Sequence, residues 1–205
     1  MTSVTIIGAG NMGGAIAAVL IAGGTPVQLL ARDASAAAEA NTSASAGTVG
    51  DSITGDIVIL ALPYGAVAEV LAAYAGQLDG KTVVDLTNPV DFSTFDSLVV
   101  PADSSAAAEI QAAAPGARVL KAFNTNFAAT LSSGAVGGEK TAVLIAGDDA
   151  AAKAGLAALL EAGGVKAIDA GSLKRARELE ALGFLQLTLA ATEQTSWTGG
   201  FGLTA

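Results

Sequence analysis

Residues 3–13 read Ser3-Val4-Thr5-Ile6-Ile7-Gly8-Ala9-Gly10-Asn11-Met12-Gly13. The first five are β-branched or small and predict a strand. Asn11 to Ala22 then reads as a helix, closed by Gly23-Gly24. Between the two lies a Gly-x-Gly-x-x-Gly spacing in the context that a phosphate-binding turn requires. Each glycine has a separate task. Gly8 permits the tight turn, Gly10 leaves the backbone open to a pyrophosphate, and Gly13 lets the helix pack close to the strand. The helix start adds free N–H groups and the positive end of its dipole, which suit phosphate. Gly8, Ala9, Gly10, Asn11, Met12 and Gly13 are therefore expected to hold a dinucleotide.

The rest of the chain repeats the alternation. Strand-like runs at 26–31, 56–62, 82–86, 118–123, 141–146 and 165–169 alternate with Ala-rich helical stretches. This predicts an α/β fold of the Rossmann type, doubly wound, with a mainly parallel sheet and a small C-terminal helical extension. Asp33 is placed to cap a helix over 34–40, and Ser104 one over 106–114. Tyr64 to Tyr74 and Leu173 to about Glu193 read as helices. Residues 41–47 read as a loop and Thr48-Val49 as a short strand. Residues 126–140, rich in Ser and Gly, are the best candidate hinge. The chain divides into a dinucleotide-binding part, 1–125, and an extension, 126–205, that completes one unit.

Ligands in such sheets sit beyond the carboxyl ends of the strands. Those ends are Gly8-Ala9-Gly10, Ala31-Arg32, Leu62-Pro63, Thr87-Asn88-Pro89 and Phe123-Asn124-Thr125, expected to line one crevice. The second strand ends in Ala31-Arg32 without a terminal acid. That arrangement suits NADP(H), with Arg32 pairing the 2′-phosphate and Ser35 as a further donor. Asp33 follows at once, and the preference reverses if Asp33 faces the ribose instead. Pro63 and Tyr64 are expected beside the adenosine or ribose. Asn88 and Asn124 are placed to orient the nicotinamide.

Composition narrows the chemistry. The 205 residues carry 10 Lys+Arg against 19 Asp+Glu, a formal net charge of −9. A basic surface for nucleic acid or an anionic membrane is not expected. No run of about 18 apolar residues predicts a membrane span, and the N-terminus lacks the basic segment of a signal peptide, so a cytoplasmic protein is expected. The chain has no Cys and no His, so thiolate, imidazole and most metal chemistry is excluded, and no metal site is expected. An enzyme of this composition relies on a cofactor. Lys121, Tyr64 and Asp85 are the remaining proton donors near the crevice. Lys121 is expected to reach the surface, and Asp85 to bond backbone, so no catalytic acid or base is assigned.

With these motifs in place the chain resembles the coenzyme F-420-dependent NADP oxidoreductase family, F-420 being a deazaflavin hydride carrier. It is also similar to the reductase domain of STEAP-type ferric reductases. The resemblance rests on Ile7–Gly13, Asp56–Pro63, Val83–Pro89, Ser105–Ile110, Leu120–Thr125, Ala146–Asp149 and Ile168–Leu173, in order along the chain. Lys121 to Thr125 is closer to the ferric-reductase domain, since the deazaflavin enzymes carry a His-Thr pair at Asn124-Thr125. The resemblance implies an enzyme moving hydride between NADPH and a flat redox carrier, F-420 or a flavin. Asn126, at the same strand end as Asn124, falls where the ring is expected and is placed on the substrate side. The resemblance also implies that the tail, with Trp197, Gly200 and Phe201, lies near this second substrate or at a dimer contact. A homodimer through Phe184 and Leu187 of the last helix is the accompanying expectation. Two other readings share the glycine turn: an imine or pyrroline-carboxylate-type reductase, and a non-catalytic NADP-binding sensor.

Overall fold

A computed structural model describes residues 2–203. Ten strands and seven helices follow in order. They are β1 Val4–Ile7, α1 Asn11–Ala22, β2 Val27–Ala31, α2 Ala34–Ala40, β3 Ser45–Thr48, β4 Ile57–Leu60, α3 Val67–Ala73, β5 Thr82–Asp85 and α4 Ala106–Ala113. Then come β6 Arg118–Lys121, α5 Ala128–Ser133, β7 Ala135–Val136, β8 Glu139–Lys140, β9 Ala142–Gly147, α6 Ala150–Ala162, β10 Lys166–Gly171 and α7 Ala176–Ala191. Eight strands form one sheet in the order β10-β9-β6-β5-β4-β1-β2-β3. All neighbours pair parallel except β6 with β9. The sheet runs through both halves of the chain, so the extension completes it. No helix among the described residues is long and apolar enough to cross a membrane.

The central strands are buried on both faces, and their side chains divide by parity. Ile6, Leu29, Ile59, Val84 and Leu120 meet α1, α5 and α6 through Ile16, Leu20, Leu131, Leu156 and Leu160. Ile7, Leu30, Val58, Val83 and Val119 meet α3 and α4 through Val70, Leu71 and Ile110. A strand covered by helices on both sides needs apolar residues at every position, which is why these runs are continuously hydrophobic rather than alternating. Between β1 and β4 the strand order reverses, and this opens a crevice at the carboxyl ends.

Several local expectations are corrected. The cap of α4 is Ser105, whose hydroxyl accepts from the Ala108 N–H; Ser104 is not the cap. The segment at 41–47 is not all loop, because Ser45–Thr48 pairs with β2 as an edge strand. The helix read from Tyr64 begins with a single 3-10 turn, Tyr64–Ala66, and the last helix begins likewise at Leu173–Arg175. Residues 126–140, the candidate hinge, form α5 and the β7–β8 hairpin. Gly134, with φ of 68°, closes α5 and permits the reversal.

Candidate functional site: a two-lobed crevice at the strand ends

The turn between β1 and α1 has the geometry that its three glycines predict. Gly8 has φ of +114°, and a Cβ there would overlap the Ala61 carbonyl. A Cβ on Gly13 would overlap the Gly8 carbonyl oxygen, so this pair sets how closely α1 approaches β1. Gly10 is the helix N-cap, with no side-chain cap bond, and a Cβ on it would meet nothing within 4 Å. Strain therefore does not require glycine at position 10. The open approach to the helix N-terminus is where a pyrophosphate fits.

The turn divides the crevice into two lobes. The larger, about 860 Å³, is lined by Gly8, Ala9, Gly10, Ala31, Arg32, Asp33, Leu62 and Pro63, among others. Here both Arg32 and Asp33 face the cavity. Their commitments differ. The Asp33 carboxylate caps α2, accepting the Ser35 N–H at 2.9 Å, and this bond holds its pKa below the usual carboxylate value. Arg32 is exposed and makes no ion pair among the described residues. Ser35 is absent from the lining, and its backbone serves the cap. Tyr64 is also absent from the lining; its hydroxyl donates to Glu109, which pushes its pKa up to about 12. Beside Ala61 at the end of β4, the lining is completed by Ala36, Val49, Ala66, Glu69 and Val70. They lie on α2, after β3 and around α3, so sequence spacing alone gave no sign of them.

The smaller lobe, about 410 Å³, is lined by Asn11, Met12, Leu86, Asn88, Phe123, Asn124, Asn126, Phe127, Ala128, Ala129, Leu187 and Trp197. It brings together the start of α1, the ends of β5 and β6, the start of α5, α7 and the C-terminal tail. Phe123 is fully buried yet has φ of 65°, a conformation disfavoured for a bulky residue. This turn directs Asn124 toward α7. The Asn124 amide donates to Asn88 Oδ1 at 3.0 Å and to the Leu179 carbonyl at 2.7 Å, while Asn88 donates to the Asn124 carbonyl at 3.0 Å. Asn88 is thus a clamp between β5 and β6, with both side-chain groups engaged. Asn126 donates to the Ala142 carbonyl at 2.9 Å. The oxygens Asn124 Oδ1 and Asn126 Oδ1 are buried and have no donor among the described residues. Buried acceptors without donors are uncommon and mark places where a ligand can supply one.

The tail arrives partly as expected. Trp197 lines the lobe and packs on Phe127, ring centroids 5.1 Å apart. Gly200 and Phe201 do not line it; they lie against Gln186, whose Oε1 accepts the Phe201 N–H at 3.2 Å. Pro89 also lies outside the lining, its carbonyl accepting the Val99 N–H. Leu187, expected at a dimer contact, lines this lobe. Phe127, Ala128 and Ala129 were missed because α5 was read as a hinge.

Lys121 reverses its expectation. It is completely buried, and its ammonium donates to Asp85 Oδ2 at 2.7 Å, Thr87 O at 2.6 Å and Glu180 Oε1 at 2.8 Å. Glu180 also accepts the Ala106 and Ala107 N–H groups that open α4. The ammonium cannot snorkel, since β6 is covered by α4 and α7 on that face. It is retained because all three protons find oxygen partners.

The fold and this crevice define a dinucleotide-binding domain of the Rossmann type. Residues 3–89 match the model of the family described as NADP oxidoreductase, coenzyme F-420-dependent. Over 149 residues the chain is 31% identical to the F-420-dependent NADP reductase of Methanocaldococcus jannaschii, covering 71% of this chain and 66% of that one. It is 36% identical over 112 residues to the metalloreductase STEAP3 of Rattus norvegicus, covering 55% of this chain and 22% of that protein. A crystal structure of a proposed F-420-dependent NADP reductase from Arthrobacter sp. superposes with a TM-score of 0.87 at 27% identity, over the full length of both chains. The chain therefore spans less than two thirds of the rat metalloreductase and just under two thirds of the archaeal reductase.

Proposed function

We propose that the protein binds NADP(H) across the two lobes and moves hydride between the nicotinamide and a flat redox carrier of the deazaflavin or flavin class. NADP(H) supplies the hydride chemistry when bound; the protein supplies position and exclusion of water. Arg32 would hold the 2′-phosphate, the Gly8–Gly13 turn the pyrophosphate, and the Asn124 and Asn126 oxygens the carboxamide N–H groups. One observation carries the choice of reaction. None of the twelve residues lining the smaller lobe has an ionisable side chain. The three candidate donors are engaged elsewhere: Lys121 and Asp85 with each other, and Tyr64 with Glu109. Reduction of a carbonyl or imine needs a proton donor at the new alkoxide or amine. Transfer between two carriers does not. Trp197 and Phe127 provide the aromatic surface beside which a second flat ring fits. A homodimer through α7 remains part of this proposal, now centred on the half-exposed Leu185 rather than Leu187, and sedimentation would read it.

The test is absorbance at 340 nm. Purified protein and NADPH are mixed separately with F-420, FMN, FAD, a ferric chelate and a cyclic imine, with NADH as control. Rapid NADPH oxidation by F-420 or a flavin, but not by the imine, is the expected result. Oxidation by the imine alone would overturn the carrier assignment, and turnover with NADH equal to NADPH would overturn the cofactor preference.

A further inference from the structure

The hydride chemistry leaves one buried ionic group without a role: Asp85, Lys121 and Glu180. Their side chains are 0%, 0% and 1% exposed. Lys121 has its three protons committed, to Asp85, Glu180 and the Thr87 carbonyl. Asp85 accepts from Lys121 and from the Thr87 N–H at 2.8 Å. Every bond to Glu180 comes from a donor: Lys121, Ala106 N at 3.0 Å and Ala107 N at 3.3 Å. That pattern fits an ionised carboxylate, since a carboxyl proton would point at a group that also donates. Two carboxylates and one ammonium leave one net negative charge, in a site closed to bulk solvent. The positive end of α4 helps to hold it there.

This charge lies beneath the smaller lobe. Asp85 precedes Leu86, Lys121 is bonded to the carbonyl that precedes Asn88, and Phe123 lies two residues beyond Lys121. Leu86, Asn88 and Phe123 all line that lobe. The oxidised nicotinamide ring carries a positive charge and the reduced ring is neutral. We propose that the buried Asp85–Lys121–Glu180 group sets the relative affinity of the crevice for the two redox states, favouring NADP⁺ over NADPH and so making bound NADPH a stronger hydride donor. The proposal rests on the reading above that the nicotinamide occupies this lobe. In it, Asp85 and Glu180 are positioning residues that act through their field and touch no substrate.

The test measures dissociation constants for NADP⁺ and NADPH by calorimetry on the full chain, with no electron acceptor present. Glu180→Gln and Asp85→Asn each neutralise the net charge while keeping side-chain shape. Each is expected to reduce the preference for NADP⁺ about ten- to twentyfold, the scale for unit charges about 10 Å apart at an effective dielectric of about 20. The change should persist at 0.5 M salt, because buried charges are poorly screened. Glu178→Gln removes the same charge from the exposed side of α7 and is expected to leave the ratio unaltered. Should one buried variant fail to fold, the other carries the same charge change. Equal weakening of both redox states, with their ratio within twofold of the unsubstituted protein, would overturn the proposal. Failure of the unsubstituted protein to bind either state would instead overturn the cofactor reading on which it rests.

Discussion

Arg32 and Asp33 are adjacent, face the same cavity and would select opposite cofactors. Geometry separates them, because the Asp33 carboxylate is engaged at the start of α2 and Arg32 makes no ion pair among the described residues. Arg32→Ala is therefore expected to weaken NADPH binding at least tenfold and leave NADH nearly unchanged. This follows from a charge-assisted phosphate bond worth about 1.5–3 kcal/mol. Equal losses for the two cofactors in a titration would remove Arg32 from the phosphate site. Lys121 matters differently. Lys121→Met leaves two buried carboxylates unbalanced and is expected to destabilise the fold by about 3–5 kcal/mol in urea unfolding at pH 7. The sign of its pH dependence follows from the acids. Burial already raises the Glu180 carboxyl above its ordinary value, and an acid raised in the fold gains stability as pH falls through its folded value. The gap between Lys121→Met and the parent should therefore narrow from pH 7 to pH 5; a gap that widens would mean that the carboxylates are not the cause. Asp33, Asp91 and Asp169 act in the opposite sense. Hydrogen bonds from Ser35, Ser93 and Lys153 lower them below 3.8, so their contribution holds above that value and is lost as pH falls further.

At the scale of the element, α7 is the unusual helix. Its buried face is Ala176, Leu179, Glu180, Gly183, Gln186 and Ala190, in which Leu179 is the one large apolar side chain among small and polar residues. Leu185, which has the right spacing for the core, is 50% exposed. The helix is held by specific bonds: Glu180 to α4 and Lys121, the Leu179 carbonyl to Asn124, and Gln186 to the Thr125 carbonyl. Gly183 makes this approach possible. A Cβ there would overlap Asn88 Oδ1 and lie 2.8 Å from Asn124 Nδ2. Gly to Ala inside a helix ordinarily stabilises by about 1 kcal/mol. At position 183 the sign should reverse: Gly183→Ala is expected to lower stability and weaken NADPH binding together, by forcing apart the Asn88–Asn124 clamp. A stabilised variant with unchanged binding would show that the clamp does not matter to the lobe.

At the scale of the whole molecule, the crevice draws residues from both ends of the chain, from Gly8 to Trp197. A ligand spanning both lobes would tie α1, β5, β6, α5, α7 and the tail together. NADPH at about 100 times its dissociation constant should add about 2.7 kcal/mol. For a chain of this size that corresponds to a rise in melting temperature of roughly 5–10 °C. NADH at the same concentration should give a smaller rise. Equal shifts in a thermal scan would contradict the assignment of the larger lobe to a 2′-phosphorylated nucleotide.

The sequence by itself determined the sheet, the glycine turn and most of the strand-end residues. Ile6-Ile7, Ile57–Leu60 and Val83-Val84 are legible because a parallel strand covered on both sides must be apolar at each position. Gly8 and Gly13 are legible because only a missing Cβ satisfies their contacts. Those signals are local, written in the residues that carry them. Only the tertiary structure decided that Lys121 is buried between Asp85 and Glu180, and that α5 and Leu187 face the crevice. A Lys on a strand end reads the same whether it reaches water or a buried carboxylate 59 residues away. The amphipathic pattern announced α7 as a helix but not that Glu180, Gly183 and Gln186 stand beside Leu179 on its inner face. Long-range polar pairing leaves no period in the sequence, because its partners meet only once the sheet has brought the strand ends together.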